Sequence, residues 1–219
     1  NQKTDQWFFM EQQTLSNTHK KLNIKIDPSQ SSMNVDAAFL AEGFDAYNYR
    51  KTYQSENYNL KDFLKRKRNI DAIGDVAVKD FEDKEKPFSF DFKFVTPVEI
   101  NADKIFISPF CGLAQTNNIF KQTSRTLPVD LIVYIGDSYE SEIEIPEGYK
   151  VEYSPKDIYR DTPVMLIVYS TKIEGNKIHI NASYKLKASI YEAKAYITLK
   201  NIFASTIDKF AEKIVLVKE

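Results

Sequence analysis

Lys177-Ile178-His179-Ile180-Asn181-Ala182-Ser183-Tyr184-Lys185-Leu186-Lys187 alternates without a break between two kinds of side chain. Ile178, Ile180, Ala182, Tyr184 and Leu186 fall on one face, continued by Ile190. Lys177, His179, Asn181, Ser183, Lys185 and Lys187 fall on the other. Successive side chains of a strand point to opposite faces, so a period of two over this length predicts a strand with one dry and one wet face. The same signature recurs toward the N-terminus. Phe88, Phe90, Phe92 and Phe94 alternate with Ser89, Asp91 and Lys93, and four rings on one face have to cover a core. Leu22, Ile24 and Ile26 alternate with Asn23 and Lys25 in a strand over 20–27. Further strands are expected over 6–16, 33–41, 72–81, 103–108, 129–135, 138–145, 149–153 and 163–171. Residues 164–169 are apolar on both faces, as in a central strand. Turn chemistry separates these runs, at Asp27-Pro28-Ser29-Gln30-Ser31-Ser32 and at Glu174-Gly175-Asn176.

Helical spacing is confined to three stretches. Phe44, Tyr47 and Lys51 predict a helix over about 43–55, and Leu60, Phe63 and Leu64 one over 59–69. Tyr196, Leu199, Phe203, Ile207 and Phe210 form an apolar stripe down one side of a last helix. Ile214-Val215-Leu216-Val217 then closes the chain as a strand. The expected fold is mainly β, in two parts. Residues 1–84 form a small α+β domain of three to four strands and two helices, and the charged stretch 82–87 is the joint. Residues 85–219 form an immunoglobulin-like antiparallel β-sandwich with a C-terminal helix docked on it.

Composition narrows the function classes. Of 219 residues, 42% are hydrophobic and 28% charged, ordinary values for a globular chain. Glycine is scarce, at 6, and Tyr (13) and Phe (15) are abundant, which favours β-rich packing over phosphate-cradling loops. Thirty basic residues against 31 acidic ones leave a net charge of −1, and neither half carries the basic excess of a nucleic-acid binder. A single cysteine, Cys111, excludes an intrachain disulfide and a thiolate zinc cluster. No run approaches the 18 or so apolar residues of a membrane-spanning helix. The start, Asn1-Gln2-Lys3-Thr4-Asp5, is polar and reads as the beginning of a processed chain or of a piece of a longer one.

The chemistry-bearing residues each have two readings. Cys111 would be a nucleophile only with His19 or His179 beside it as base, yet Phe110 and Leu113 give it an apolar setting that raises a thiol pKa. An inert buried thiol is the simpler reading. Glu140, Glu142 and Glu144 share one strand face, which would suit paired-carboxylate hydrolysis but is more often a solvated sheet face. Lys65, Arg66, Lys67 and Arg68 would make a phosphate patch, or complement the negative end of a helix. No Gly-x-Gly-x-x-Gly, Walker-type or Gly-x-Ser-x-Gly stretch occurs. No catalytic set, metal site or cofactor is expected.

From Arg125 a family resemblance emerges. Arg125-Thr126-Leu127-Pro128-Val129-Asp130 is followed by Ile145-Pro146-Glu147-Gly148-Tyr149-Lys150-Val151-Glu152, by Ser154-Pro155, and at the end by a helix and Glu212-Lys213-Ile214-Val215-Leu216-Val217. These stretches resemble the C-terminal β-sandwich domain of unknown function in bacterial transglutaminase-like proteins, with the preceding segment resembling the linker to it. The resemblance implies structural roles for Arg125, Pro128, Val129, Asp130, Pro146, Gly148, Tyr149 and Pro155. Arg125 would pair with Asp130 or cap strand carbonyls. The family's catalytic Cys, His and Asp have no match in this chain. The resemblance therefore implies a non-catalytic accessory module of an exported protein, periplasmic or at the cell surface, whose partner is an upstream transglutaminase-like core. The alternative is a stand-alone β-sandwich binding a protein or glycan through surface Tyr and Phe rings.

Overall fold

The computed structural model describes residues 15–55 and 60–219. Leu15 and Ser16 of the expected strand over 6–16 open the first strand, and the rest of that expectation lies outside the described residues. In chain order the elements are β1 (Leu15–Asp27), β2 (Ser32–Glu42), α1 (Gly43–Gln54), α2 (Leu60–Arg68), β3 (Ala72–Lys79), β4 (Phe88–Pro97), β5 (Glu99–Asn101), β6 (Lys104–Ile107) and β7 (Val129–Asp130). They continue with β8 (Tyr134–Glu144), β9 (Tyr149–Tyr153), β10 (Ile158–Asp161), β11 (Met165–Glu174), β12 (Lys177–Leu186), β13 (Ile190–Tyr191), α3 (Tyr196–Ala211) and β14 (Ile214–Lys218). The fold is mainly β and sandwich-like, with a C-terminal helix.

An eight-stranded sheet in the order β10-β11-β12-β8-β1-β2-β4-β3 organises the molecule. A four-stranded sheet, β5-β6-β14-β9, accompanies it, with a two-stranded β13-β7 ribbon. Neighbours in the large sheet pair antiparallel with one exception: β1 and β8 run parallel, from Leu15 opposite Tyr134 to Lys25 opposite Glu144. That parallel pair joins the two halves of the chain into one sheet. The expected division at 84/85 falls within a single antiparallel pair, between β3 and β4. The charged 82–87 stretch is the loop between them. Arg50 of α1 ties it down by donating to the carbonyls of Phe81, Asp83 and Lys86. Charge reads alike in a loop tip and in a linker, so composition alone could not separate the two.

Alternation dictates which face of the large sheet is dry. Phe39 of β2, Phe88, Phe90, Phe92 and Phe94 of β4, Leu22 and Ile24 of β1, Ile143 of β8 and Ile178 and Ile180 of β12 are all buried on the inner face. Ile105, Ile107, Ile214 and Leu216 of the small sheet join the same core. The opposite face is a charged ladder. Lys21 donates to Glu140 at 2.9 Å, Lys25 stands 3.6 Å from Glu144, and Lys177 pairs with Glu142, whose pKa the Lys177 hydrogen bond lowers. Cross-strand pairs of this kind keep a wet face wet.

Phe90 is fully buried, with the rings of Phe39 at 5.0 Å and Tyr49 at 5.1 Å between centroids. Phe90→Ala is expected to lower stability in urea denaturation by about 3–5 kcal/mol, the cost of emptying such a site. Glu144→Gln on the outer face should stay within about 0.5 kcal/mol of the parent. Similar losses for both would contradict the assignment of the dry face.

Candidate functional site

Two helical covers rest on the inner face. Tyr49 of α1 packs on Phe88 and Phe90 of β4, and Phe63 of α2 packs edge-on against Tyr49. At the other end Phe210 of α3 contacts Tyr139, Tyr169 and Tyr184, and Phe203 contacts Tyr184. Over the start of the parallel β1–β8 seam, beside α1 and α2, a cleft of about 360 Å³ remains. Thr18, Lys20, Ile135, Gly136 and Asp137 line its strand side. Asp45, Asn48 and Thr52 of α1 and Arg68 of α2 line its helix side.

The centre of the cleft is ionic. Lys20 is 1% exposed, and its Nζ donates to Asp137 Oδ1 at 2.6 Å and to the Tyr139 hydroxyl at 3.4 Å. The ammonium also stands 4.5 Å from the centre of the Tyr139 ring, in cation–π contact. The second oxygen of Asp137 accepts the hydroxyls of Tyr139 at 3.2 Å and Tyr184 at 3.1 Å. Burial lowers the Lys20 pKa, against the pull of Asp137. Burial, with the Asp137 charge nearby, pushes Tyr139 and Tyr184 well above the ordinary tyrosine value. Tyr49 is pushed up to about 12 by burial, with Arg68 opposing through its charge and a hydrogen bond. A buried ion pair is tolerated only when hydrogen bonds satisfy its remaining capacity, and here the two tyrosine hydroxyls do so.

Asp45 fixes the helix side. Its carboxylate accepts the hydroxyls of Ser16 and Thr18, each at 2.8 Å, and its own N–H donates to Ser16 Oγ at 2.9 Å. Glu42, at the N-cap of α1, makes no side-chain cap. Ser16 does that work from a neighbouring strand, so the first turn of α1 is anchored to β1 by a reciprocal pair.

Cys111 and the histidines stand on opposite sides of the sheet. Cys111 is buried in a turn at φ +49°, its Sγ 3.7 Å from the Ser108 carbonyl oxygen. Burial pushes its thiol up to about 12. Phe110, next to it, packs on Tyr139 of the inner face. His19 and His179 lie on the outer face. His19 Nδ1 is 3.0 Å from Ser138 Oγ, and His179 is 3.7 Å from both Glu142 and Glu174. Among the described residues, no three metal-ligating side chains converge.

The residues singled out by resemblance are spread over several elements and turns. Arg125 lies over the Tyr196 ring, 5.9 Å from its centre, while Asp130 accepts the Ile132 N–H at 2.8 Å, so the two do not pair. Val129 is buried in β7 opposite Tyr191, and Pro128 beside it is exposed. Gly148 takes φ +77° in the turn between β8 and β9, where the Tyr149 N–H donates to the Pro146 carbonyl. Only glycine adopts that backbone without strain. Pro155 is buried just after β9.

The chain belongs to the family described as Domain of Unknown Function with solved-structure structure (DUF3858), which matches residues 103–216. No curated protein matches the chain. The DUF3858 segment runs from the turn before β6 into β14 and supplies Asp137, Tyr139 and Tyr184. Lys20, Asp45 and Arg68 all precede it. The cleft is therefore built jointly by the family segment and by the strands and helices ahead of it.

Sequence reasoning passed over Lys20, Asp45 and Asp137. A signal was present: Ser16, Thr18 and Lys20 continue the same face as Leu22 and Ile24, and Asp137 that of Tyr139 and Ile143. Polar residues on a dry face need partners, and these pair with one another. Lys20→Met, which leaves the half-buried Asp137 without its cation, is expected to destabilise the chain by roughly 3 kcal/mol. The double variant Lys20→Met/Asp137→Leu should lose clearly less than the sum of the single losses, as a double-mutant cycle in urea would report. Strict additivity would show that the two side chains do not act as a pair.

Proposed function

We propose that this chain is a non-catalytic accessory module, structural or protein-binding in role, that sits behind a transglutaminase-like core in one exported, periplasmic or cell-surface protein. The observation that carries the non-catalytic reading is the setting of Cys111. The single thiol faces the core with a pKa of about 12, and both imidazoles lie across the sheet from it. A thiolate nucleophile needs a base or a positive field within reach, and here desolvation works the other way. The resemblance around Arg125 and Pro146-Glu147-Gly148-Tyr149 supplies the link to the upstream core.

The glycan-binding alternative retains one supporting feature. The sheet aromatics Phe39, Phe88, Phe90, Phe92 and Phe94 are buried and offer no stacking platform. On α1, however, Phe44 and Tyr47 are exposed and stacked, 5.8 Å between centroids, at the edge of a groove of about 550 Å³ lined in part by Tyr47, Arg50 and Lys51.

Two measurements bear on the accessory reading. Sequencing upstream of Asn1 in the encoding reading frame should reveal a segment with Cys, His and Asp in that order, and a frame that opens immediately before Asn1 would remove the proposed partner. The thiol reading is tested by pH. Below pH 9 the Cys111 thiol is protonated in the folded and unfolded chain alike. Above it the unfolded chain releases the proton while the folded chain holds it until about 12. Stability should therefore fall with rising pH by about 1.4 kcal/mol per unit from pH 9, a component that Cys111→Ala lacks. Identical pH profiles for the parent and Cys111→Ala, with rapid labelling of the native thiol at pH 8, would contradict burial of Cys111.

A further inference from the structure

The cleft over the β1–β8 seam holds four charged side chains that sum to zero: Lys20 and Arg68 against Asp45 and Asp137. Lys20 and Asp137 neutralise each other at the strand side. The other two are separate poles. Arg68 presents a planar fork of five N–H donors, and its one described partner in the cleft is Tyr49. Among the described residues no carboxylate lies in ion-pair range of its guanidinium. Asp45 accepts one hydroxyl on each oxygen, and each carboxylate oxygen has capacity for a second donor. Both poles line the same cleft, Asp45 from α1 and Arg68 from α2. Asn48 and Thr52, on the same side as Asp45, add an amide and a hydroxyl.

Size and charge together restrict what fits. At about 30 Å³ per liquid water, a volume of about 360 Å³ holds on the order of ten waters, or one small organic molecule. A multivalent anion would meet Arg68 but also the two carboxylates. A simple amine would meet Asp45 but also Lys20 and Arg68. A net-neutral lining with fixed opposite poles favours a molecule that brings both signs close together. A carboxylate suits the bidentate fork of an arginine, and an ammonium suits the free lone pairs of Asp45. A peptide terminus carries only one of these charges at its end; a free amino acid carries both.

We propose that the seam cleft is a binding site for a free α-amino acid, its carboxylate held by Arg68 and its ammonium by Asp45, with Asn48 and Thr52 beside them. The site goes beyond the accessory role proposed above and does not depend on it, since every residue it uses belongs to this chain. Lys20 and Asp137 hold the strand wall in place and do not contact the ligand.

The test is a titration of the full ¹⁵N-labelled chain followed by the backbone amides of Asn48, Thr52 and Gly136. L-serine, L-leucine, L-glutamate and L-lysine serve as zwitterionic probes, and acetate, methylammonium and inorganic phosphate as controls that carry charge of one sign only. At least one zwitterion should give saturable shifts at these amides, with a dissociation constant at or below about 1 mM. Acetate and methylammonium should bind at least about tenfold more weakly, since each meets one pole only. Arg68→Gln should weaken the zwitterion about tenfold or more while leaving the circular dichroism unchanged. Asp45→Asn should do the same. Should that change loosen α1, Arg68→Gln and Asn48→Ala decide the matter without it. Phosphate binding as tight as any zwitterion, acetate equal to the zwitterion, no saturable shift with any of the four amino acids, or shifts untouched by Arg68→Gln would each overturn the proposal.

Discussion

The parallel ladder between β1 and β8 is the constraint on which the rest of the structure depends. It pairs residues 119 positions apart, Lys20 beside Tyr139 among them. Without it the molecule would be a β1-β2-β4-β3 sheet carrying two helices and a separate β10-β11-β12-β8 sheet carrying a third. With it, the two sets of strands share one inner face and one core. Parallel neighbours need a long crossover, and here the crossover contains β2, α1, α2, β3 to β7 and the loops between them. The seam therefore forms only when a large part of the chain is already near its final place.

That origin explains why the seam is polar. The apolar covers are set by the helices, α1 and α2 at one side and α3 at the other, and over the start of the β1–β8 pair α1 contributes the carboxylate of Asp45 instead of an apolar side chain. Side chains that face the cleft from the strands cannot be sealed by hydrocarbon. Lys20, Asp137, Tyr139 and Tyr184 solve this by satisfying one another. An apolar pair of equal volume at the strand wall would hold the sheet about as well. What the ionic arrangement adds is orientation: the Asp137 carboxylate, held by three donors, has one place to be.

The DUF3858 segment supplies half of this arrangement and the preceding elements the other half. The large sheet is shared between them: beyond β8 it continues through β1, β2, β4 and β3, four strands outside the match. The outer face of that shared sheet is laced by Lys–Glu pairs from both parts, with His19 beside Glu140 and His179 beside Glu142. Cys111 sits on the far side of the backbone from all of them.

Periodicity alone determined the longer strands and the helices of this protein. The alternation in 177–187 and 88–94 and the stripe from Tyr196 to Phe210 are local, and local spacing decides which side chains share a face. The same spacing sorted the wet glutamates from the buried phenylalanines, while the neighbours Phe110 and Leu113 gave Cys111 its apolar setting. Short strands such as β5 and β10 were not legible, because three or four residues carry too little alternation to count. Only the tertiary structure decided that Phe88–Pro97 lies between β2 and β3, that β1 and β8 run side by side, and that Lys20, Asp45, Arg68 and Asp137 meet. Strand pairing over more than a hundred residues depends on which backbone edges are free once everything else has packed, and a one-dimensional pattern of polar and apolar residues does not encode which edge meets which.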